Sequence, residues 1–147
     1  MNNKITLSVI IPVYNEENTI VQLLNNVSCL SSHCKIEIVV INDGSTDTTE
    51  IKLKENKNLY NKLINLKKNK GKGKAIIEGL KSATSDYIVF QDADLEYNPH
   101  DLIFFIDKIK INDADLIMGS RFIGNQRSVL HFWHMLGNKF ITIIFNL

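Results

Sequence analysis

The chain is poor in cysteine, in net charge and in long apolar runs. Its two thiols, Cys29 and Cys34 of SCLSSHCK, are separated by four residues with no second pair, which supports neither a disulfide framework nor a zinc knuckle. Reduced thiols in the cytosol are the expectation. A formal net charge of +1 gives no reason to expect a nucleic-acid partner, although lysines cluster between Lys67 and Lys74. The N-terminal MNNKITLSVIIPVYNEE has an apolar run broken by Pro12 and followed by acids, so it reads as neither a signal peptide nor a membrane span. A cytoplasmic location follows as an expectation. The P-loop spacing G-x-x-x-x-G-K-[ST] is missing too, and no Ser or Thr follows Lys74, so NKGKGK is not a Walker-type loop. There is no internal repeat and no linker. What remains is 147 residues, 44% hydrophobic and 22% charged, enough for one globular domain with a proper core.

The apolar residues come in short blocks. Leu7 to Val13 and Ile36 to Ile41 are continuous and β-branched, the pattern of strands buried on both faces of a parallel sheet, with Pro12 ending the first ladder. Leu59 to Leu66 is a weaker third strand, Tyr87 to Phe90 a fourth that also reads as buried, and Asp115 to Gly119 a fifth. Helical patterns lie between them. The first has Asn15 as cap and Ile20, Leu23, Leu24 and Val27 inward; the second opens on a capping box of Asp47 and Glu50. In the third, Ala75, Gly79 and Ala83 share a face beside Ile76 and Leu80, allowing close packing on the sheet. The fourth has Asn98 as cap, Pro99 at its first position and Leu102, Phe105, Ile106 and Ile109 inward. Alternating strands and helices with short connections predict an α/β domain with a parallel sheet.

In such folds ligands bind beyond the carboxyl ends of the strands. Those ends carry Tyr14, Asn15 and Glu16; Asn42 and Asp43; the GKGK loop; Asp92, Asp94 and Glu96; and Ser120 with Arg121. Core packing has no use for so many polar groups on one edge. In YIVFQDADLE the acids fall at alternate positions, so an extended chain brings them to one side, where their mutual repulsion calls for a cation. Oxygen ligands of this kind suit Mg²⁺ or Mn²⁺, with other positions left to water or phosphates. A solvated acidic turn is the alternative.

Four stretches in order, SVIIPVYNEENTI, VVINDGSTDTT, NKGKGKAIIEGLKSATSDYIVFQDADLEYNP and ADLIMGSRF, resemble the successive motifs of family 2 glycosyltransferases. The nearest likeness is to polyprenyl-phosphate sugar transferases such as dolichyl-phosphate mannose synthase. The resemblance implies a GT-A fold, a Rossmann-like and mostly parallel sheet flanked by helices, and transfer of a hexose from a nucleotide-diphosphate sugar with inversion. Mannose or glucose, carried on GDP or UDP, is favoured. Matched to the family's motifs, Pro12, Tyr14, Glu16 and Asp43 contact the nucleotide, with Gly71, Gly73 and either Lys72 or Lys74 near its phosphates. Asp92 lies near ribose and metal, Asp94 is the metal ligand bridging to the diphosphate, and Glu96 is the third ligand, directly or through a water. Arg121 matches the arginine of the family's GSR element and suits bidentate contact with phosphate; Arg127 is a further candidate.

The acceptor expected is polyprenyl phosphate at the membrane surface. Such a phosphate is already an anion, whereas a sugar hydroxyl needs a carboxylate base, and the rim has none to spare. Acceptors with a glycan hydroxyl, and a nucleotide-sugar-binding module without catalysis, are the competing readings. A receiver-type signalling domain would want an acidic pair after the first strand, where PVYNEE places only Glu16 and Glu17 at a helix start. His131 and His134 have no third ligand near them and are not read as a metal site. Val129, Trp133, Leu136, Phe140, Ile143 and Leu147 form an apolar stripe running to the last residue without a cap or polar tail, so the chain reads as a single GT-A domain, residues 1–147, lacking its C-terminal acceptor side.

Overall fold

Along the first strand, β1 (Thr6–Val13), Leu7, Val9, Ile11 and Val13 point to one side and Ser8 and Ile10 to the other, and all six are buried. A strand buried on both faces must be central. In the computed structural model, which describes residues 5–111 and 115–118, β1 lies between β2 (Lys35–Asn42) and β4 (Tyr87–Phe90), with β3 (Lys62–Asn65) beyond β2. All three pairings are parallel, giving the order β3-β2-β1-β4.

The helices cover both faces. On one, Ile20, Leu23, Leu24 and Val27 of α1 (Ile20–Ser28), Leu53 of α2 (Thr49–Glu55) and Ile106 of α4 (Leu102–Ile111) meet Leu7, Val9, Ile11, Val13, Ile38 and Val40. On the other, Ala75 of α3 (Lys72–Ser82) meets Ile10, Val39 and Ile41. A Cβ at Gly79 would stand 2.6 Å from Ile10 Cγ2 and 2.7 Å from Ile41 Cδ1, so the glycine is what brings α3 onto the sheet. The chain runs outward from β1 to β3, and α3 returns it across to β4 on the far side of β1. That reversal makes a crevice beyond the carboxyl ends of β1 and β4.

The chain divides into two compact units, Met1–Ala114 and Asp115–Leu147. The expectations at Arg121 and Arg127, at His131 and His134 and along the apolar stripe lie outside the described residues. Expectations within them are corrected at several points. Pro12 does not end its ladder: β1 runs on to Val13, whose carbonyl accepts the Asp43 amide at 2.8 Å. Ile10 O accepts the Gln91 amide at 3.0 Å, after which β4 leaves the sheet, so the N–H that Pro12 lacks falls on the side β4 has vacated. The fourth strand is not buried on both faces, because as the outer strand of the four it leaves Ile88 and Phe90 43% and 50% exposed. Glu50 closes no capping box and pairs instead with Lys54 at 2.6 Å, one turn along α2. Asp115 to Met118 form no strand, and Leu116 and Met118 are 76% and 81% exposed, leaving no burial to offset the ordering of a ladder.

At the opposite edge of the sheet one acid ties the strand starts together. Glu37 of β2 accepts hydrogen bonds from Ser8 Oγ of β1 and from both the amide and the hydroxyl of Thr84, and pairs with Lys62 of β3 at 2.8 Å. Lys62 Nζ also donates to Ser82 O at 2.6 Å, fixing the end of α3. Burial alone would raise the Glu37 carboxyl, but the bonds from Lys62, Ser8 and Thr84 outweigh it and hold its pKa at about 2.

Candidate active site

Four loops leave the carboxyl ends of the strands, and side chains bind each to the next. The loop after β1 holds Asn15 at φ 55, a left-handed conformation that asparagine tolerates. Its amide donates to Ser45 Oγ at 3.0 Å and its Oδ1 accepts the Thr46 amide at 2.8 Å. The Glu16 amide donates to Thr49 Oγ1 at 2.9 Å, and the Glu17 amide to Asp47 Oδ2 at 3.2 Å. In return Glu17 Oε2 accepts the Thr48 amide at 3.0 Å, and Lys52 Nζ donates to Glu17 O at 2.7 Å. The Thr48 hydroxyl and amide lower the Glu17 pKa, while at Asp47 burial is outweighed by bonds from Thr49 and the Glu17 amide. Asn15 therefore staples two loops and does not cap α1, which begins at Ile20.

Asp43, 3% exposed, joins the second loop to the third. Its Oδ1 accepts the Lys70 amide at 2.9 Å and its Oδ2 the Gly71 amide at 2.8 Å. Each oxygen keeps a lone pair for a further donor. The neighbouring Gly44, at φ 69, packs so closely that an added Cβ would lie 2.6 Å from the Lys68 carbonyl carbon and 2.7 Å from the Asn69 nitrogen. Gly71 takes φ 85 just before α3, whereas Gly73 lies within that helix; an added Cβ would meet nothing within 4 Å at either. Gly71 is thus required by conformation, and Gly73 leaves open space.

Of the two candidate lysines, Lys74 turns to Glu78 at 3.2 Å, one helical turn on. Lys72, in the first turn of α3, crosses to Asp92 Oδ1 at 2.5 Å, so the third and fourth loops also meet. The fourth loop is not the extended run that alternate acids imply. Buried Gln91 donates from Nε2 to Asp92 O at 3.1 Å and Tyr97 O at 3.3 Å, closing the loop on itself. Ala93 is buried, Leu95 takes φ 63, and Asp94 Oδ1 accepts the Glu96 amide at 3.0 Å. This geometry ends the two-residue alternation, so the expected convergence of Asp92, Asp94 and Glu96 is corrected: among the described residues no three His, Cys, Asp or Glu side chains gather to hold a metal. The donor set left, carboxylates with open access to solvent at Asp94, suits a Mg²⁺ or Mn²⁺ that takes its other oxygens from water and phosphate.

Of the residues named from sequence, Asp43, Gly71 and, through Lys72, Asp92 come together in one chain of contacts, with Glu16 on the adjoining loop. Tyr14 is 44% exposed at the end of β1. Sequence reasoning missed Gly44 and Gln91. The signal at Gly44 was the DG pair, legible as a turn but silent on its neighbour; at Gln91 it was a lone polar residue following a strand.

Residues 8–146 match the family model described as Glycosyl transferase family 2. The chain belongs to that family. A dolichol-phosphate mannosyltransferase of Pyrococcus furiosus is 38% identical over 118 residues, covering 80% of this chain and 33% of the relative, so the family 2 chain spans about a third of that protein. Staphylococcus aureus TarS, solved in complex with UDP-GlcNAc, superposes with a TM-score of 0.65 at 29% identity, covering 86% of this chain and 38% of the other. Glucosyl-3-phosphoglycerate synthase from Mycobacterium tuberculosis, in complex with Mn²⁺, UDP and glucosyl-3-phosphoglycerate, superposes with a TM-score of 0.60 at 27% identity over 73% of this chain and 40% of its own. The fold is that of the GT-A glycosyltransferases.

Proposed function

We propose that this family 2 chain binds a nucleotide-diphosphate hexose across the four loops and transfers the hexose, with inversion, to polyprenyl phosphate. The observation that carries the reading is the run of contacts from Asp43 through the Lys70–Gly71 amides to Lys72 and Asp92, which links a carboxylate suited to a nucleoside with a cation and acids suited to a diphosphate. Likeness to a mannosyltransferase and to enzymes solved with UDP or UDP-GlcNAc supports a nucleotide sugar as donor.

In this reading Asp43 accepts from a base N–H or a ribose hydroxyl, beside Pro12, Tyr14 and Glu16. Asp92, Asp94 and Glu96 would supply the carboxylates for Mg²⁺ or Mn²⁺, Glu96 directly or through a water, and the Mn²⁺ bound by the mycobacterial enzyme supports a divalent ion. When bound, the ion offsets the negative charge that develops on the departing diphosphate. Lys72 moves from Asp92 to a phosphate oxygen, and Arg121 pairs with phosphate of donor or acceptor. An acceptor phosphate oxygen attacks the anomeric carbon on the face opposite the diphosphate; the new C–O bond forms as the old one breaks and the nucleoside diphosphate leaves. The enzyme faces the cytoplasm and meets its lipid at the membrane surface.

The test is a transfer assay with GDP-mannose, GDP-glucose, UDP-glucose and UDP-GlcNAc, each with Mn²⁺, against a short-chain polyprenyl phosphate and against glycan acceptors. Glycosylated polyprenyl phosphate is the expected product. Transfer to a glycan hydroxyl with none to the lipid would overturn the acceptor assignment, and binding of donor without transfer to any acceptor would leave a nucleotide-sugar-binding module.

A further inference from the structure

The Asp43–Gly44 pair has a second task besides meeting a nucleoside. We propose that it is the seat on which the phosphate-side loop is positioned: Asp43 grips the backbone of Lys70 and Gly71, Gly44 lets the backbone of Lys68 and Asn69 lie against it, and together they set Lys72 over Asp92. This inference rests on the donor-site reading above.

Within the loop the Gly71 amide also donates to Asn69 Oδ1 at 2.9 Å, and Asp43 supplies the anchor from outside it. Each carboxylate oxygen of Asp43 accepts one of two consecutive amides, at 2.9 and 2.8 Å, from a side chain 3% exposed. Consecutive N–H groups aimed at one carboxylate fix the peptide plane between Lys70 and Gly71, and hence the direction in which α3 starts. Gly71 then turns at φ 85, and the next residue, Lys72, reaches Asp92 at 2.5 Å. Lys67, Lys68 and Lys70 are exposed along the same loop. A run of like charges repels itself and favours an open, solvated loop; the buried carboxylate opposes that tendency. Gly44 adds the steric half of the seat, since a side chain at φ 69 would be strained and its Cβ would meet the Lys68 and Asn69 backbone at 2.6 to 2.7 Å.

A residue that touches only the nucleoside affects nucleotide binding and leaves pyrophosphate alone. A positioning residue affects pyrophosphate as well. Asp43→Asn keeps the size of the side chain but replaces one acceptor by an NH₂ group, which opposes one of the two amides. Gly44→Ala disturbs the seat without touching the carboxylate. Pyrophosphate binding with Mn²⁺ is measured by calorimetry in the parent, in both variants, in Lys72→Met and in Asp43→Asn/Lys72→Met; amide hydrogen exchange is followed without ligand. Both seat variants should weaken pyrophosphate binding about tenfold, the loss of one charge-assisted hydrogen bond. At least one of the Lys70 and Gly71 amides should exchange at least about tenfold faster in Asp43→Asn. On the Lys72→Met background Asp43→Asn should cost nothing further, because the seat acts through that lysine. Circular dichroism checks that each variant is folded, and the near-isosteric Asp43→Asn keeps the test decisive if Gly44→Ala is not. Unchanged pyrophosphate binding with faster exchange at Lys70 or Gly71 would overturn the positioning role, as would unchanged exchange at both. Failure of the parent to bind either pyrophosphate or any nucleoside diphosphate with Mn²⁺ would instead overturn the donor-site reading, and this role with it.

Discussion

Gly71 and Gly73 are two positions apart in one loop and have opposite energetics. Gly71 sits at φ 85 and ψ 153 with open space around it, so Gly71→Ala should destabilise the fold by about 1 to 3 kcal/mol through backbone strain alone. Gly73 is helical with equally open space, and Gly73→Ala should stabilise by about 0.5 to 1 kcal/mol, the difference in helix propensity. Urea denaturation of both variants checks the pair; a loss at Gly73 as large as at Gly71 would show that something packs where the structure leaves space. The same contrast bears on ligand binding. If the space above Gly73 admits a diphosphate, Gly73→Ala weakens pyrophosphate binding while stabilising the free protein.

Each element is held by contacts to a different part of the sequence, and this decides what could be read in advance. β1 and β2 were legible because burial on both faces leaves a continuous apolar run. α1 and α3 were legible in their buried faces, Ile20, Leu23, Leu24 and Val27 in one and Ala75 and Gly79 in the other. The start of α1 was not, because Asn15 is claimed by Thr46, thirty-one residues on. Nor was the half-exposure of β4, since strand order decides which run lies outermost. The acids were found but their arrangement was not, because Gln91 and Leu95 bend the loop through contacts no spacing reveals. Two substitutions test these contacts. Gly79→Ala puts a methyl group into Ile10 and Ile41 and should cost about 1 to 3 kcal/mol, measurable by thermal denaturation. Glu37 carries the other. Its carboxyl falls from an ordinary value of 4.5 to about 2 on folding, so its contribution is complete above pH 4.5 and is lost as pH drops toward 2. Glu37→Gln should destabilise by about 1.5 to 3 kcal/mol at neutral pH and flatten the stability profile between these limits; an unchanged acid limb would contradict the assigned network.

For the molecule as a whole, the two edges of the sheet have different work. At the strand starts Glu37 and Lys62 bind α3, β1, β2 and β3 into a fixed base, and at the strand ends the loops are joined by carboxylates with capacity left for a ligand. The chain belongs to family 2, and its fold is that of the GT-A glycosyltransferases. In the proposed function a nucleoside diphosphate binds at the strand ends with a divalent ion held through Asp94. The most direct measurement is calorimetric titration of UDP and GDP, with Mn²⁺ and with EDTA, into the parent and into Asp94→Ala. The expected result is binding of at least one nucleotide that EDTA abolishes and that Asp94→Ala weakens at least about tenfold, or about 1.4 kcal/mol. Equal affinity in the two proteins, with the same response to EDTA, would contradict it.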